Sequence, residues 1–332
     1  MKAFIADKYG KKSALRAADV PEPVVGAHDV LVEIHAAALN PVDTKIKSGE
    51  FKLVLAYKPP FVLGHDMAGV VLAVGSAVRR FATGDEVYAR PRDLRIGTLA
   101  QRIAVAEDDL ATKPASLSMA EAAALPLVAL TAWQALVEKA GVQPGQKVLI
   151  HAGSGGFGTI AIQLAKHLGA YVATTTSTPN VDWVRDLGAD LVIDYRTQDF
   201  TALVRDYDVV LDSLSGETLE RSLQVLRPGG VAIGIGGPPD PDFAKVVGKP
   251  MLRPVMALLS RKVRAEARRR NVTYSFLFMH ADGAQLTKIA ALVDAGAIRP
   301  VVDRIFDFTD TVAALDYVDT GRAKGKVVVT MA

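Results

Sequence analysis

Residues 151–158 read His151-Ala152-Gly153-Ser154-Gly155-Gly156-Phe157-Gly158, which places Gly153, Gly155 and Gly158 in a G-x-G-x-x-G pattern. A buried-strand run, Val148-Leu149-Ile150, precedes them and an amphipathic helical pattern follows, the context in which this spacing binds a dinucleotide. Gly153 permits the tight turn, Gly155 lets backbone approach a pyrophosphate, and Gly158 lets the helix pack close to the strand. Ser154, Gly156 and Phe157 complete the loop, whose backbone N–H groups at a helix N-terminus suit phosphate charge. The alternative is an ordinary glycine turn.

The end of the next strand sets the choice of nicotinamide cofactor, because an NAD site usually carries an acid there for the ribose 2′-hydroxyl. Here the chain reads Thr174-Thr175-Thr176-Ser177-Thr178-Pro179-Asn180, with no acid. Thr176, Ser177 and Asn180 can donate to a 2′-phosphate instead, and Tyr195 can reach it from the following strand. NADPH is therefore expected over NADH, although a solvated Thr/Ser turn would read the same way. Arg185, on the helix that follows, is the nearest basic residue.

Elements at regular spacing must carry these groups. From Lys147, strand-like runs alternate with helical ones through Tyr171-Val172-Ala173, Leu191-Val192-Ile193, Asp208-Val209-Val210-Leu211 and Gly230-Val231-Ala232-Ile233. That alternation predicts a doubly wound parallel sheet of the Rossmann kind. Before about residue 124, short strands joined by Gly and Pro predict a β-rich domain, to which the tail from about Ala297 is expected to return. The expected domains are 1–124 with 297–332, and 125–296.

Bulk properties remove several classes of function. The chain has 332 residues, half of them hydrophobic, enough for two cores. Its 39 Lys plus Arg against 36 Asp plus Glu leave a net of +3, which gives no bulk case for nucleic acid. With no cysteine there is no disulfide, thiol nucleophile or thiolate metal site. The start, Met1-Lys2-Ala3-Phe4-Ile5, lacks the succession of a secretory leader, and no apolar run reaches the roughly 20 residues needed to span a bilayer. A cytoplasmic protein with a small-molecule partner, no membrane and no nucleic acid is the expectation.

Five segments then carry a resemblance that runs from end to end: 38–45 (Ala-Leu-Asn-Pro-Val-Asp-Thr-Lys), 63–71 (Leu-Gly-His-Asp-Met-Ala-Gly-Val-Val), 125–133 (Leu-Pro-Leu-Val-Ala-Leu-Thr-Ala-Trp), the glycine loop, and 226–230 (Leu-Arg-Pro-Gly-Gly). In this order they resemble the quinone oxidoreductase and enone reductase branch of the zinc-independent medium-chain dehydrogenases. The resemblance implies an α/β architecture: a Rossmann domain plus a β-rich, GroES-like catalytic domain built from both chain ends. It also implies a cleft where nicotinamide meets substrate, and a homodimer. Zinc members would carry a cysteine near Asn40 and a His-Glu pair at His65-Asp66, so no metal is expected and His65 reads as structural or pocket-lining.

The same resemblance places Asn40 beside the nicotinamide ribose and Lys45 toward the substrate, with Asp43 orienting its neighbours. Lys45 would polarise a substrate carbonyl as hydride passes to the β-carbon and would steady the enolate; a solvated surface lysine is the alternative. Quinone reductases of the family have tyrosines where this chain has Lys45 and Phe51, which favours an enone, with NADPH:quinone reduction as the alternative. Tyr57 is a further candidate, as proton donor or pocket wall. Thr131, Leu214, Gly236, Phe278 and Lys326 join the expected cofactor contacts.

Residues 261–270 hold a basic run after an apolar stretch from Pro250 to Leu259. Clustered positive charge can bind nucleic acid, an acidic membrane surface or a phosphorylated acyl carrier, but the run reads first as one solvated helix face, and the segment from Pro238 to Arg270 as a mobile lid or an insertion. A different class of function, a non-catalytic NADPH-binding protein touching nucleic acid through 261–270, stays open.

Overall fold

In a computed structural model, residues 1–11 and 13–331 are described. They form two units, Met1–Leu130 with His280–Ala332, and Thr131–Met279.

The first unit begins with β1 (Lys2–Ala6), β2 (Leu15–Asp19), β3 (Asp29–Leu39), β4 (Phe61–Val62), β5 (Asp66–Val74), β6 (Glu86–Ala89), β7 (Arg102–Ala106) and β8 (Leu110–Thr112). β3 is its spine. Val30, Val32 and Ile34 alternate inward at its start, while Ala36, Ala37 and Ala38 are all fully buried. Alternation gives way to a continuous buried run where the strand is covered on both faces. The helix α1 (Pro41–Ser48) follows at once. Its start is written locally: Asn40 holds an extended backbone, Pro41 occupies the first turn where no N–H is needed, and Gly49 closes the helix at φ 92°. Two further helices, α2 (Met119–Ala123) and α3 (Pro126–Trp133), lead out of the unit.

The second unit holds β9 (Lys147–Ile150), β10 (Tyr171–Thr176), β11 (Leu191–Asp194), β12 (Tyr207–Asp212), β13 (Leu226–Gly234) and β14 (Thr273–Phe276). They form one sheet in the order β11-β10-β9-β12-β13-β14, parallel throughout. Numbered within the unit, that is 3-2-1-4-5-6, the doubly wound order of a dinucleotide-binding fold. The helix α4 (Gly156–His167) runs directly out of the glycine loop.

The chain then returns to the first unit. β15 (Val302–Asp307) pairs with β16 (Lys326–Thr330), which lies antiparallel on β3 and completes a sheet ordered β15-β16-β3-β5-β6-β8, with β7 also on β3. The return starts earlier than the tail's β-like composition suggests, at His280. The helix Gly283–Asp294 belongs with the first unit because it packs on β8, and Tyr88 Oη donates to Leu286 O at 2.6 Å. Among the described residues no helix is long and apolar enough to cross a membrane.

Candidate active site

In the first unit, a buried polar cluster forms where α1 leaves β3. Asp43, three residues into the helix, accepts the Asn40 backbone N–H with Oδ2 at 2.8 Å and meets His65 Nδ1 with Oδ1 at 2.6 Å. A carboxylate accepts only, so Nδ1 carries the proton. His65 is fully buried, and its Nε2 has no partner among the described residues. Gly64 makes that placement possible: its φ is +106°, and a Cβ there would lie 2.4 Å from Thr98 Oγ1.

Asn40 spends its side chain outward from the cap. Its Nδ2 donates to Asp66 Oδ2 at 2.9 Å, and its Oδ1 accepts from Lys326 Nζ. Lys326 also donates to Leu39 O and to Asp66 Oδ2, both at 3.1 Å. An ammonium has three donors, and all three are used here. Those donors hold Lys326 within the cluster, against Asn40, Leu39 and Asp66. Asp66 Oδ1 accepts the Leu127 N–H at 2.7 Å, so the same carboxylate sits at the N-terminus of α3, where negative charge is favoured.

Lys45 lies in the last turn of α1, half-buried, and among the described residues no carboxylate stands within ion-pair distance of it. Tyr57 is buried against Phe61, ring centroids 5.3 Å apart, and its hydroxyl accepts the Leu94 N–H at 3.1 Å. Burial pushes its pKa up to about 12, with the nearby charges of Asp93 and Asp43 adding to the rise. The phenol therefore stays neutral at physiological pH.

In the second unit, every expected cofactor residue after Thr131 sits at the carboxyl ends of the parallel strands. The loop 153–158 follows β9. Thr176 ends β10 and Ser177 and Asn180 follow it, joined to that loop by the Gly153 N–H donating to Thr175 O at 2.9 Å. Tyr195 follows β11, is well exposed, and donates its N–H to Thr176 O at 3.0 Å. Thr176 Oγ1 is buried with no partner among the described residues, while Ser177 Oγ accepts from Asn180 Nδ2 at 3.1 Å. Leu214 is exposed after β12, Gly236 follows β13, and Phe278 follows β14 with its ring 5.0 Å from Phe243. Thr131 is buried within α3.

The glycines of the loop have different reasons. A Cβ on Gly153 would lie 2.2 Å from Thr174 Oγ1, and one on Gly158 would lie 2.3 Å from Ala152 O, so the fold itself requires both. A Cβ on Gly155 would meet only Ala152 O, at an ordinary 3.4 Å. Among the described residues no other atom lies within 4 Å of that Cβ, which leaves room on this side for a pyrophosphate. The loop fits a dinucleotide.

Several further residues of the site carry no signal in the sequence. Asp66 is a hub of the buried cluster, visible only once β16 is beside β3. Arg90, at the end of β6, is buried beside Tyr57; it binds Asp93 and leaves Nε without a partner among the described residues. Asp212 ends β12 fully buried, with one oxygen unpartnered among the described residues, and burial raises its pKa. Arg196 follows Tyr195 at the exposed end of β11, whereas Arg185 is engaged with Asp182 at 3.0 Å. The carboxylate of Asp194 is held by Thr178 and accepts the Arg196 N–H at 3.0 Å. Periodicity in the chain marks none of these.

Comparison with known proteins places the geometry. Residues 26–115 match the family described as alcohol dehydrogenase GroES-like domain, and 187–329 the one described as zinc-binding dehydrogenase. The chain is 38% identical to a 2-methylene-furan-3-one reductase of Solanum lycopersicum, over 99% of this chain and 79% of that protein. It is 35% identical to an NADPH-dependent alkenal/one oxidoreductase, chloroplastic, of Arabidopsis thaliana, over 99% and 79%. Among solved structures, the quinone oxidoreductase from Coxiella burnetii superimposes with a TM-score of 0.86 at 30% identity, covering 100% of this chain and 99% of that one. The zinc in one family description finds no donor set here: the chain has no cysteine, and the described residues contain no group of three or more His, Asp or Glu arranged for a metal.

Proposed function

This chain belongs to the quinone oxidoreductase and enone reductase branch of the medium-chain dehydrogenase/reductase superfamily, and from that premise we propose that it is an NADPH-dependent, metal-free reductase of the activated C=C bond of α,β-unsaturated carbonyl compounds. Bound NADPH supplies the hydride. The residues 153–158 and the N-terminus of α4 hold its pyrophosphate. Thr176, Ser177, Asn180 and Tyr195, with the exposed Arg196 beside them, hold the 2′-phosphate. Thr131, Leu214, Gly236 and Phe278 bind the nicotinamide half.

The first unit supplies the electrophile. Asn40 is fixed by Asp66 and Lys326, and Asp43 ties the start of α1 to His65, so Lys45 is carried on a helix whose base cannot shift. Its unpaired ammonium hydrogen-bonds the substrate carbonyl and stabilises the enolate that forms as hydride reaches the β-carbon. Tyr57 remains neutral and lines the pocket, leaving water to protonate the α-carbon. The observation that carries this reading is Lys45 with no carboxylate within ion-pair distance among the described residues, on a helix whose start is held by buried hydrogen bonds. The likeness to a quinone oxidoreductase of known structure supports a second reading, quinone reduction. A homodimer in the cytoplasm belongs to the same proposal, supported by the open edge of the sheet at β14.

The test is NADPH consumption across enones, enals, unsaturated acids and quinones, with NADH as control and a chelator throughout. Turnover of enones with NADPH, indifferent to the chelator, is expected. Absence of turnover with every enone and enal would remove the proposal.

A further inference from the structure

Between Pro241 and Arg270 the second unit carries a surface of unusual makeup. The thirty residues 241–270 contain nine Lys or Arg and two Asp or Glu, a net of +7, so the other 302 residues together carry −4. The charge therefore belongs to one place. The same place is apolar. Along the helix Arg253–Leu259 and the turn before it, Met251, Val255, Leu258 and Leu259 recur at the spacing of one helix face, and that face points to solvent: Met251 is 90% exposed, Leu258 69% and Leu259 56%. Val246, on the short helix packed beside it, is 64% exposed.

The inner side of the segment is already satisfied. Met256 and Ser260 are buried beneath the helix, and Val263 and Ala267 of the next helix, Arg261–Arg269, belong to the core of the sheet. The exposed apolar row is thus not a core face waiting to close. Between the two helices lies an open hollow of about 550 Å³ lined by Pro241, Pro250, Met251, Pro254 and Ala257, with Arg253 and Arg264 on its wall. Among the described residues neither arginine meets a carboxylate within ion-pair distance, whereas Lys262 and Arg270 do, at Glu220 and Glu266.

We infer that this segment is a docking surface for an anionic phospholipid bilayer: the aliphatic row enters the boundary between headgroups and chains, and Arg253 and Arg264 take a lipid phosphate. Aliphatic side chains ringed by Lys and Arg are the composition of interfacial helices, whose binding adds buried apolar area to attraction for anionic lipid. Guanidinium groups suit phosphate in particular. A second copy is the poorer occupant, since a two-fold contact through this patch would set nine basic residues against nine more. Among the described residues no helix is long and apolar enough to span a bilayer, but lying on one needs no span. The inference does not depend on which acceptor the enzyme reduces.

Vesicle flotation with the full chain tests it, using phosphatidylcholine alone and phosphatidylcholine with about 30% phosphatidylglycerol, a range in which each anionic contact matters. Binding to the anionic vesicles at least tenfold tighter than to the neutral ones is expected, weakened by added salt. Leu258→Ser with Leu259→Ser, and separately Arg253→Ala with Arg264→Ala, should each reduce it at least tenfold, with melting temperature and NADPH affinity unchanged. Equal partition into both vesicles, no partition, or undiminished binding by both variants would overturn the inference. So would sedimentation showing that the same substitutions only dissociate a dimer, or binding confined to an acidic protein.

Discussion

Lys326 Nζ meets Asp66 Oδ2 at 3.1 Å across 260 residues of sequence, with both side chains buried. The contact fastens the last strand of the chain to the start of β5. Because the same ammonium holds Asn40, the far end of the chain fixes the segment from which α1 and Lys45 emerge.

Breaking a buried pair from one side leaves a charge without compensation, which costs about 3–5 kcal/mol. Lys326→Met should lower stability by that order in denaturant unfolding. Adding Asp66→Asn should recover part of the loss, because the stranded carboxylate is gone. Strict additivity of the two substitutions would argue that the pair is not the unit of stability.

His151 gives a pH dependence with a definite sign. Its Nδ1 bonds Thr175 Oγ1 at 3.0 Å, its Nε2 bonds Ser222 Oγ at 2.8 Å, and burial lowers its pKa from 6.5 to about 4. Between those values the unfolded chain takes up a proton that the folded chain refuses. The stabilisation is whole above about pH 6.5 and is lost as pH falls toward 4, roughly 3 kcal/mol over the window. Unfolding midpoints of the wild type and His151→Gln should therefore converge on acidification. Parallel curves would contradict the assignment.

Gly155 separates ligand space from folding. Gly155→Ala meets only an ordinary contact with Ala152 O. It should keep the melting temperature while weakening NADPH binding at least tenfold, about 1.4 kcal/mol, in a fluorescence titration. Gly158→Ala, whose Cβ would lie 2.3 Å from Ala152 O, should lose stability first.

What the sequence makes legible is what lies close together along it. The glycine loop and the acid-free turn at Thr176 are local patterns, and a doubly wound parallel sheet follows from strands and helices in steady alternation, whereas its order, its last strand β14 and the helix opened by Asn40-Pro41 come from the structure. Asp43 with His65 spans 22 residues and Lys326 with Asn40 spans 286, so neither leaves a trace in spacing. Arg90 lies buried although its residue type is normally solvated. The row Val255, Leu258, Leu259 misleads in the opposite sense, because apolar spacing on a helix signals a core face and here points outward. The domain boundary is displaced for a related reason: the helix Gly283–Asp294 has a composition that suits either unit, and its contact with β8 decides.

Arg196 and Tyr195 make the phosphate preference testable. Arg196→Ala and Tyr195→Ala should each raise the KM for NADPH several-fold and leave the KM for NADH nearly unchanged, since only the 2′-phosphate is lost as a partner. Equal effects on both cofactors would place these residues outside that contact. Steady-state kinetics with each cofactor at a fixed enone concentration would decide.

The most direct test of the account is kcat for an enone at saturating NADPH, compared between the wild type and Lys45→Met. Losing one charge-stabilising donor typically costs about 10²–10³ in kcat; a fall of that size with NADPH affinity unchanged is predicted. An unchanged kcat would contradict the assignment of Lys45 as the electrophile that replaces a metal.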